Sequence, residues 1–458
     1  MFEAQVFDER GGHQAAASRA LRAASIATWK RKLAEVDREM PDAERIDLIR
    51  SLEELKAAAE AAQARLTADF DASQRAEQAA TGLPARRQGE GIAGQIALAR
   101  RESPVRGGIH LGLAKALVHE MPGTLAAMTS GRLSEYRATL LARETASVSR
   151  QDRATIDATM TADLDALEGT GDRSLVGRAR RLAYELDPES VVRRNRKAES
   201  ERTVTIRPAP DTMSYVTALV PVVQGVAMYA ALRRAADSAR AAGDPRASGQ
   251  VMADTLVQRV TGQATAEAVP VSVGLVMTDR SLLGADHTPA ELEAAGPVPA
   301  VWARELVAQT LDRGSGAWLH RLFANPTTGR LVAMDSRQRR VPGALSTLIR
   351  TRDGHCRTPW CDAPIRHDDH VVDVAARGPT SEANLQGLCE RCNHAKQAPG
   401  WHARPRAGPR HTVEVTTPTG HRYRSTAPPV PGTDPPASRP AGPRLDVSAA
   451  DIELVIAA

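Results

Sequence analysis

The stretch GLCERCNHAKQ, from Gly387 to Gln397, decides the fold of the C-terminal part of this 458-residue chain. Cys389 and Cys392 form a C-x2-C pair, and an Asn, a His and a Lys follow within about two helical turns. These side chains can coordinate a metal or bind a phosphate. The stretch therefore raises the question of a structural metal site, a catalytic site, or both.

The cysteines of the chain all fall in one short window, as a C-x4-C pair followed by the C-x2-C pair: Cys356, Cys361, Cys389 and Cys392. Thiolates at these spacings can close on one tetrahedral Zn2+, and Gly354, Pro359 and Gly387 supply the tight turns. Disulfides need an oxidising compartment, a redox pair would leave the other pair idle, and chance would scatter the cysteines. The pattern predicts a closed structural zinc site, which leaves the chemistry to other residues.

The segment DHVVDVAARGPTSEANLQGLCERCNHAK, residues 369–396, carries an Asp-His pair, a hydrophobic run, a Gly-containing loop, Asn-Leu and Cys-x2-Cys-Asn-x2-Lys in this order. It resembles the HNH endonuclease motif. The resemblance implies a ββα-metal fold, in which two antiparallel strands and a helix surround a catalytic metal. It places the strands at 371–374 and 385–388 and the helix at 390–397.

The resemblance also assigns roles to four residues. Asp369 and Asn393 match the positions that hold a divalent ion such as Mg2+, Mn2+ or Ni2+, and His370 matches the general base. Asn384 matches the residue that braces the loop and thereby orients the His. Asn393 is rotated by about 100° from Cys392 on a helix, so zinc and the catalytic metal would lie on different sides of it.

Two positions depart from the motif, and three neighbours compete as ligands. The family often has Pro at the position of Asp373, and Gly-Gly at the position of Arg377 and Gly378. These departures concern the loop geometry more than the chemistry. The alternative metal ligands in the same window are His367, Asp368 and His394.

Positive charge is concentrated near this motif. The chain has a net charge of +5, whereas residues 337–424 alone sum to +7. Such a surplus suits a polyanion such as DNA, although a solvated basic surface remains the alternative. The residues predicted to contact nucleic-acid phosphates are Arg337, Arg339, Arg340, Arg350, Arg352, Arg377, Arg391 and Lys396, with Arg357 also a candidate.

The rest of the chain is too long for one core, and aromatic residues make up only 3% of it. We expect helices packed through small aliphatic side chains, including a long one that begins at Pro41 and Asp42. The predicted fold class is α+β, with a mostly helical accessory region at 1–200 and an α+β accessory unit at 201–340. The HNH domain follows at 345–402, a small hairpin at 403–426, and a Pro-rich linker and tail at 427–458.

The larger part also carries a resemblance. HLGLAKALVHEMPGTLAAMTSGRLSEYRATLLARET and AELEAAGPVPAVWARELVAQ are similar to the domain of unknown function that precedes HNH nucleases in a large bacterial family. It would cover about residues 30–335. Within it, two helices around Gly131 also have the pattern of a DNA-reading helix-turn-helix, although ordinary helix packing is commoner.

The start of the chain has no secretory pattern, and the longest uncharged run, 212–232, is interrupted by Pro221. A strand that ends near Val220, followed by a helix, explains this run better than a membrane span. We expect a cytoplasmic protein with no membrane partner and with the capacity to form a homo-oligomer through its N-terminal helices. The predicted function is a metal-dependent DNA endonuclease. The alternative is a zinc-stabilised nucleic-acid-binding protein without cleavage activity.

Overall fold

The structure is a computed structural model. It describes residues 23–263, 273–284, 286–292, 296–312, 317–323, 335–336, 341, 343–429 and 451–457. For residues 273, 311–312, 317–323, 335–336, 344 and 451–457 it describes the backbone only. The α+β fold class predicted from the sequence is confirmed, with the helices concentrated in the N-terminal part.

Helices dominate the described chain up to residue 200. They are α1 (Ala23–Ala34), α2 (Asp42–Ala80), α3 (Ile92–Arg100), α4 (Pro104–Glu120), α5 (Pro122–Thr129), α6 (Glu135–Glu144), α7 (Arg150–Thr161), α8 (Asp172–Leu186) and α9 (Pro188–Ser200). Single 3-10 turns lie at Ala85–Arg87 and Asp165–Leu167. Side chains of Ser103, Ser134 and Ser149 cap the starts of α4, α6 and α7, which satisfies exposed backbone N–H groups there.

The long helix α2 begins directly after Pro41, as predicted. Its buried side chains include a row of alanines at helical spacing, namely Ala57, Ala61, Ala64 and Ala68. Small side chains let the neighbouring helices approach closely, which explains how an alanine-rich sequence forms a core. Near the start of the helix, Ile46 and Ile49 stay exposed, at 59% and 61%.

The central part combines helices with a small sheet. A hairpin of β1 (Thr203–Pro208) and β2 (Ser214–Leu219) precedes α10 (Val222–Ala241) and α11 (Ser248–Thr261). Because α10 starts after Pro221, the uncharged run 212–232 is a strand followed by a helix, as expected. In the part of the chain that the structure describes, no helix has both the length and the apolar character needed to cross a bilayer.

A five-stranded sheet follows, and its strand order is β5-β4-β3-β14-β6. Its elements are β3 (Val273–Thr278), α12 (Asp279–Leu283), β4 (Ala290–Leu292), β5 (Gly296–Val298), α13 (Ala300–Asp312), β6 (Ala317–Phe323) and β14 (Asp451–Ala457). The apolar tail β14 lies antiparallel between β3 and β6, a pairing that the sequence did not indicate. The turn of the hairpin predicted for 318–335, at residues 325–329, lies outside the described residues.

The C-terminal unit contains β7 (Asp335–Ser336), α14 (Gly343–Asp353), β8 (His367–His370), β9 (Thr380–Ser381), β10 (Leu385–Leu388) and α15 (Glu390–Lys396). Two more 3-10 turns lie at Val374–Ala376 and Glu382–Asn384. Strand β8 is antiparallel to β10, with His370 opposite Leu385 and Asp369 opposite Gln386.

The predicted position of the first strand, 371–374, is wrong. The strand lies at 367–370 because its partner β10 begins at Leu385, which pairs with His370. Beyond this pair the chain bends into a turn, where the N–H of Val371 donates to the carbonyl of Asn384 at 2.7 Å. The predicted second strand and helix agree with β10 and α15.

A three-stranded antiparallel sheet closes this part of the chain, in the order β11 (His402–Arg406), β12 (Thr412–Thr416) and β13 (Arg422–Thr426). Strands β12 and β13 form the predicted hairpin, and β11 adds a third strand to it. The C-terminal unit contacts the N-terminal helices through Trp401. Its ring lies so close to Gly91 that a Cβ there would come within 2.5 Å of the indole nitrogen.

Candidate active site

The four cysteines form a compact buried cluster. Their sulfur atoms all lie within 4.8 Å of one another, and the Cys361 and Cys389 sulfurs are 3.8 Å apart. A zinc–sulfur bond of about 2.3 Å places two thiolates of a tetrahedral site about 3.8 Å apart. The cluster therefore has the donor set and the size of a closed tetrahedral site and can hold a structural metal ion.

The backbone explains how the two cysteine pairs meet. The N–H of Arg357 donates to the carbonyl of Gly387 at 2.9 Å, and the N–H of Cys356 donates to the carbonyl of Ala363 at 2.9 Å. Gly387 has to be small because a Cβ there would lie 2.4 Å from Ile365. Hydrogen bonds from Cys361 and Cys392 lower the pKa of the Cys356 thiol, and the same hydrogen bonds raise the pKa of both donors.

The carboxylate of Asp369 lies at the centre of a second cluster and is 9% exposed. Its Oδ2 accepts hydrogen bonds from the Gln386 amide at 3.0 Å and from the Lys396 ammonium at 2.8 Å. Gln386 stands opposite Asp369 in the β8–β10 pair, so the strand register brings these two side chains together. Lys396 approaches from α15, the helix that also carries Cys392.

The imidazole of His370 is half-buried, and its Nε2 lies 2.9 Å from the hydroxyl of Thr380. Thr380 belongs to the short strand β9 and is itself buried, so this hydrogen bond fixes the orientation of the ring. The sequence motif did not identify Thr380. Its only signal was its position four residues before Asn384, in a loop whose path the sequence did not show.

Asn384 braces the loop that follows His370. Its Oδ1 accepts from the N–H of Val372 at 3.0 Å, and its Nδ2 donates to the carbonyls of Val372 at 3.0 Å and Pro379 at 2.8 Å. The side chain thus joins both ends of the loop between His370 and Thr380. Gly378 lies inside this loop, where a Cβ would come within 1.8 Å of the Val372 carbonyl oxygen.

Asn393 lies on α15 directly after Cys392. Its carboxamide Oδ1 is buried, and no described residue donates a hydrogen bond to it. A buried carbonyl oxygen without a donor costs free energy unless a ligand or solvent satisfies it. The amide oxygen of Asn393 and the carboxylate of Asp369 are the oxygen ligands that a hard divalent cation prefers, so these two residues fit the expected metal.

Two known protein families match the chain. The family described as a domain of unknown function, DUF222, matches residues 49–353, which is more than half of the chain. The chain belongs to the DUF222 family. A second family, HNH endonuclease, matches residues 355–398. The predicted order of the two domains is confirmed. No curated protein and no solved structure matches the chain.

The HNH match covers the cysteine cluster, Asp369, His370, Asn384 and Asn393. It places the C-terminal unit of this DUF222 protein in a nuclease family, which supports DNA and metal binding in general terms. The structure explains the Gly-Gly of the motif at positions 377 and 378, from which Arg377 departs. Arg377 has a φ of +62°, in the left-handed region that favours glycine, and Gly378 is required by the close approach of Val372.

The phosphate contacts predicted for the HNH unit divide into three groups. Three arginines lie outside the described residues, namely Arg337, Arg339 and Arg340. Three arginines are exposed, as a phosphate contact requires, namely Arg350, Arg377 and Arg391. Arg350 also forms an ion pair with Asp368 at 3.3 Å. The remaining predicted contacts, Arg352 and Lys396, are engaged inside the protein.

Arg352 is 4% exposed, so its prediction as a phosphate contact is wrong. Its guanidinium donates to Asp353 at 2.7 Å, to Glu382 at 3.0 Å and to the carbonyl of Leu385 at 2.7 Å. These bonds attach the end of α14 to β10. Arg357 is similarly buried and forms an ion pair with Asp353 at 3.5 Å, so it too holds the fold rather than a ligand.

The prediction of Lys396 as a phosphate contact is also wrong in this conformation. Its side chain is 10% exposed, and its ammonium donates to Asp369, to the carbonyl of His370, and to Asp373 at 3.3 Å. These three acceptors use the three donors of a lysine. Lys396 is therefore a partner of the predicted metal ligand Asp369.

The alternative ligands do not join the cluster around Asp369. Asp368 accepts from the hydroxyl of Ser346 at 2.5 Å and pairs with Arg350. His394 is exposed on α15. His367 is half-buried at the far end of β8, opposite Leu388.

Proposed function

We propose that this DUF222 protein is a divalent-metal-dependent endonuclease that hydrolyses phosphodiester bonds of DNA. One observation carries the proposal. The strands β8 and β10 and the helix α15 bring Asp369, His370 and Asn393 onto one small unit that the cysteine cluster holds together. The HNH match over the same residues supports the same activity.

His370 is the general base in this proposal. A neutral imidazole is basic enough near pH 7 to take a proton from an attacking water. The hydrogen bond to Thr380 sets the direction of the ring, and Asn384 holds the loop that connects His370 to Thr380. Thr380 and Asn384 are thus positioning residues for His370.

Asp369 and Asn393 would hold the divalent ion, and Mg2+, Mn2+ and Ni2+ are the candidates. Such an ion neutralises charge on the phosphate oxygens and stabilises the leaving oxygen. Gln386 keeps the Asp369 carboxylate in place through its amide. The exposed Arg377 and Arg391 are available for the flanking phosphates.

The cysteine cluster would bind Zn2+ as a structural ion. Four thiolates leave no open coordination position, so this ion contributes stability and no chemistry. We also propose a cytoplasmic location, because thiols stay reduced there and remain available to bind zinc.

The contact of Lys396 with Asp369 favours a second candidate function. An ammonium at 2.8 Å already neutralises the carboxylate that would hold the divalent ion. If this ion pair persists in solution, the protein is a zinc-stabilised nucleic-acid-binding protein without cleavage activity. Cleavage requires that the divalent ion compete with Lys396 for Asp369.

Nicking of supercoiled plasmid distinguishes the two functions. We expect the zinc-loaded full-length protein to nick plasmid when Mg2+, Mn2+ or Ni2+ is added. His370→Ala should lower the rate by about 10²- to 10⁴-fold, the usual contribution of a general base. His394→Ala is the matched control, because His394 is an exposed histidine on the same unit and has no role in the proposal.

Two results would contradict the proposal. If metal-loaded protein binds plasmid and never nicks it, the binding function is correct. If His370→Ala nicks as fast as His394→Ala, another residue is the base.

A homo-oligomer through the N-terminal helices stays a prediction. Helix α1 has no buried residue and exposes Ile26, Trp29 and Leu33 by 38 to 45%. An apolar helix face of this kind suits contact with a second copy of the chain. Light scattering of the full-length protein would measure its mass directly.

A further inference from the structure

The sheet of β11, β12 and β13 lies after the HNH match and outside both matched ranges. Its two faces differ sharply. One face carries Val415 and Tyr423, which pack against Trp401 at the junction with the DUF222 helices, and the buried Val413. The register of the strands places the charged side chains on the opposite face. We call this opposite face the basic face.

The basic face carries four arginines and one glutamate, which gives it a net charge of +3 when histidine is neutral. In register across the three strands it consists of His402, Arg404, Arg406, Thr412, Glu414, Thr416, Arg422, Arg424 and Thr426. This alternation of basic and apolar residues was present in the sequence as HARPR and HRYRST. The sequence alone indicated a hairpin here and did not show that the arginines form a group.

Glu414 fixes the arrangement of the arginines. It is 1% exposed and accepts from Arg404 at 2.6 Å, from Arg406 at 2.9 Å and from Arg424 at 3.0 Å. One carboxylate cannot neutralise three guanidinium groups, and each guanidinium keeps further N–H donors that point away from it. The side chains of the three arginines remain 37 to 69% exposed. The face therefore presents ordered, uncompensated positive charge to solvent.

Hydrogen bonds and packing attach the sheet to the candidate active site. Strand β11 packs against the 3-10 turn Glu382–Asn384, and His411 lies 3.2 Å from the carbonyl of Ala383 in that turn. The buried Arg357 donates to the carbonyl of His411, directly before β12, and to that of Ser425 in β13, which attaches these two strands to the HNH unit. Asn384, which braces the loop after His370, belongs to the same turn.

We propose that the basic face binds the phosphate backbone of duplex DNA next to the candidate active site. Arginine pairs with phosphate through two parallel hydrogen bonds, and a row of arginines on a flat sheet can follow consecutive phosphates. The threonines between the arginines add hydroxyl donors. The face reads no bases, so binding is independent of sequence and depends strongly on salt. The inference rests on the proposed function for its substrate, but its test does not require cleavage.

The test measures duplex DNA binding by fluorescence anisotropy. All proteins carry His370→Ala, so cleavage does not interfere with the measurement. The first variant is Arg404→Gln, Arg406→Gln and Arg424→Gln together. Its matched control removes the same number of charges from exposed positions on α8 and α9, namely Arg181→Gln, Arg193→Gln and Arg196→Gln.

We expect the first variant to bind DNA at least about tenfold more weakly than the control at low salt. The slope of log affinity against log salt should fall by about 0.9 for each phosphate that the variant no longer neutralises. Because removal of three partners leaves Glu414 buried without them, a second variant, Arg422→Glu, reverses one charge on the face and spares that cluster. It should also weaken binding, with zinc content and melting temperature unchanged.

The proposal is overturned if both variants bind duplex DNA as tightly as the control. This outcome is independent of the nicking experiment. If the natural chain nicks plasmid but the basic-face variants bind DNA as tightly as the control, the proposed function stands and the inference about the basic face is wrong.

Discussion

At the residue scale, the proposed roles of Asp369 and His370 depend on two side chains outside the motif, Gln386 and Thr380. Asp369, His370, Asn384 and Asn393 were predicted from their order along the chain and lie within the HNH match, and their catalytic and metal-binding roles stay predictions. Gln386 and Thr380 support them through contacts that depend on strand register and on the path of a loop. For Arg352 the sequence led to a wrong prediction. A charged side chain close to a basic motif was expected to contact phosphate, but it is buried in an ion-pair network.

At this scale, the pH dependence of stability tests the burial of His411. Burial lowers the pKa of its imidazole to about 4, with Arg352 adding to the effect. The unfolded chain binds this proton below about pH 6.5, whereas the folded chain binds it only below about pH 4. The free energy of unfolding should therefore fall as pH drops from 6.5 towards 4, and this residue alone should account for about 2 kcal/mol at pH 5.

Urea unfolding at pH 7 and pH 5 measures this loss. The variant His411→Gln can still donate to Ala383 and does not titrate, so it should lose less stability in acid than the natural chain. Any release of zinc in acid affects both proteins. The difference between their losses of unfolding free energy therefore reports on His411 alone. Equal losses in the two proteins would show that His411 does not cause the effect.

At the element scale, strongly marked helices were predictable and short paired elements were not. Helix α2 has a start signal and many turns, and it begins where the sequence indicated. Strand β8 has four residues, and its position depends on where β10 begins. The partners of the tail β14 lie more than a hundred residues away in β3 and β6, so no local pattern could indicate them.

At the element scale, a substitution in the loop between His370 and Thr380 tests how that loop is packed. Gly378→Ala would place a methyl group 1.8 Å from the Val372 carbonyl oxygen and 2.7 Å from the Asn384 amide nitrogen. We expect it to lower the melting temperature and to slow metal-dependent nicking at least about tenfold, because the brace on His370 opens. Ala375→Gly is the matched control, because it changes one methyl group at an exposed position of the same loop and leaves the Asn384 brace intact. A Gly378→Ala protein that melts and nicks like the control would contradict this description of the loop.

At the scale of the whole molecule, the DUF222 and HNH parts share a packed junction. Trp401 lies against Gly91 and Gly94, where a Cβ would come within 2.5 and 3.3 Å of its ring, and Thr419 donates to Gln95 at 3.0 Å. The sequence indicated two domains and could not indicate this junction, since its residues lie about three hundred positions apart. The HNH unit is thus held on the helical domain and not merely tethered to it.

Helix α15 serves two metal sites in the proposed enzyme, a closed zinc site through Cys392 and its N-cap residue Cys389, and a catalytic site through Asn393. Metal content after dialysis against Mn2+ tests this central claim most directly. We predict about one zinc and one Mn2+ per chain. Asn393→Ala and Asp369→Ala should weaken Mn2+ binding at least about tenfold while zinc is retained, and Cys389→Ser should lose the zinc. Unchanged Mn2+ binding in both variants, or zinc lost together with Mn2+ in Asn393→Ala, would contradict the claim.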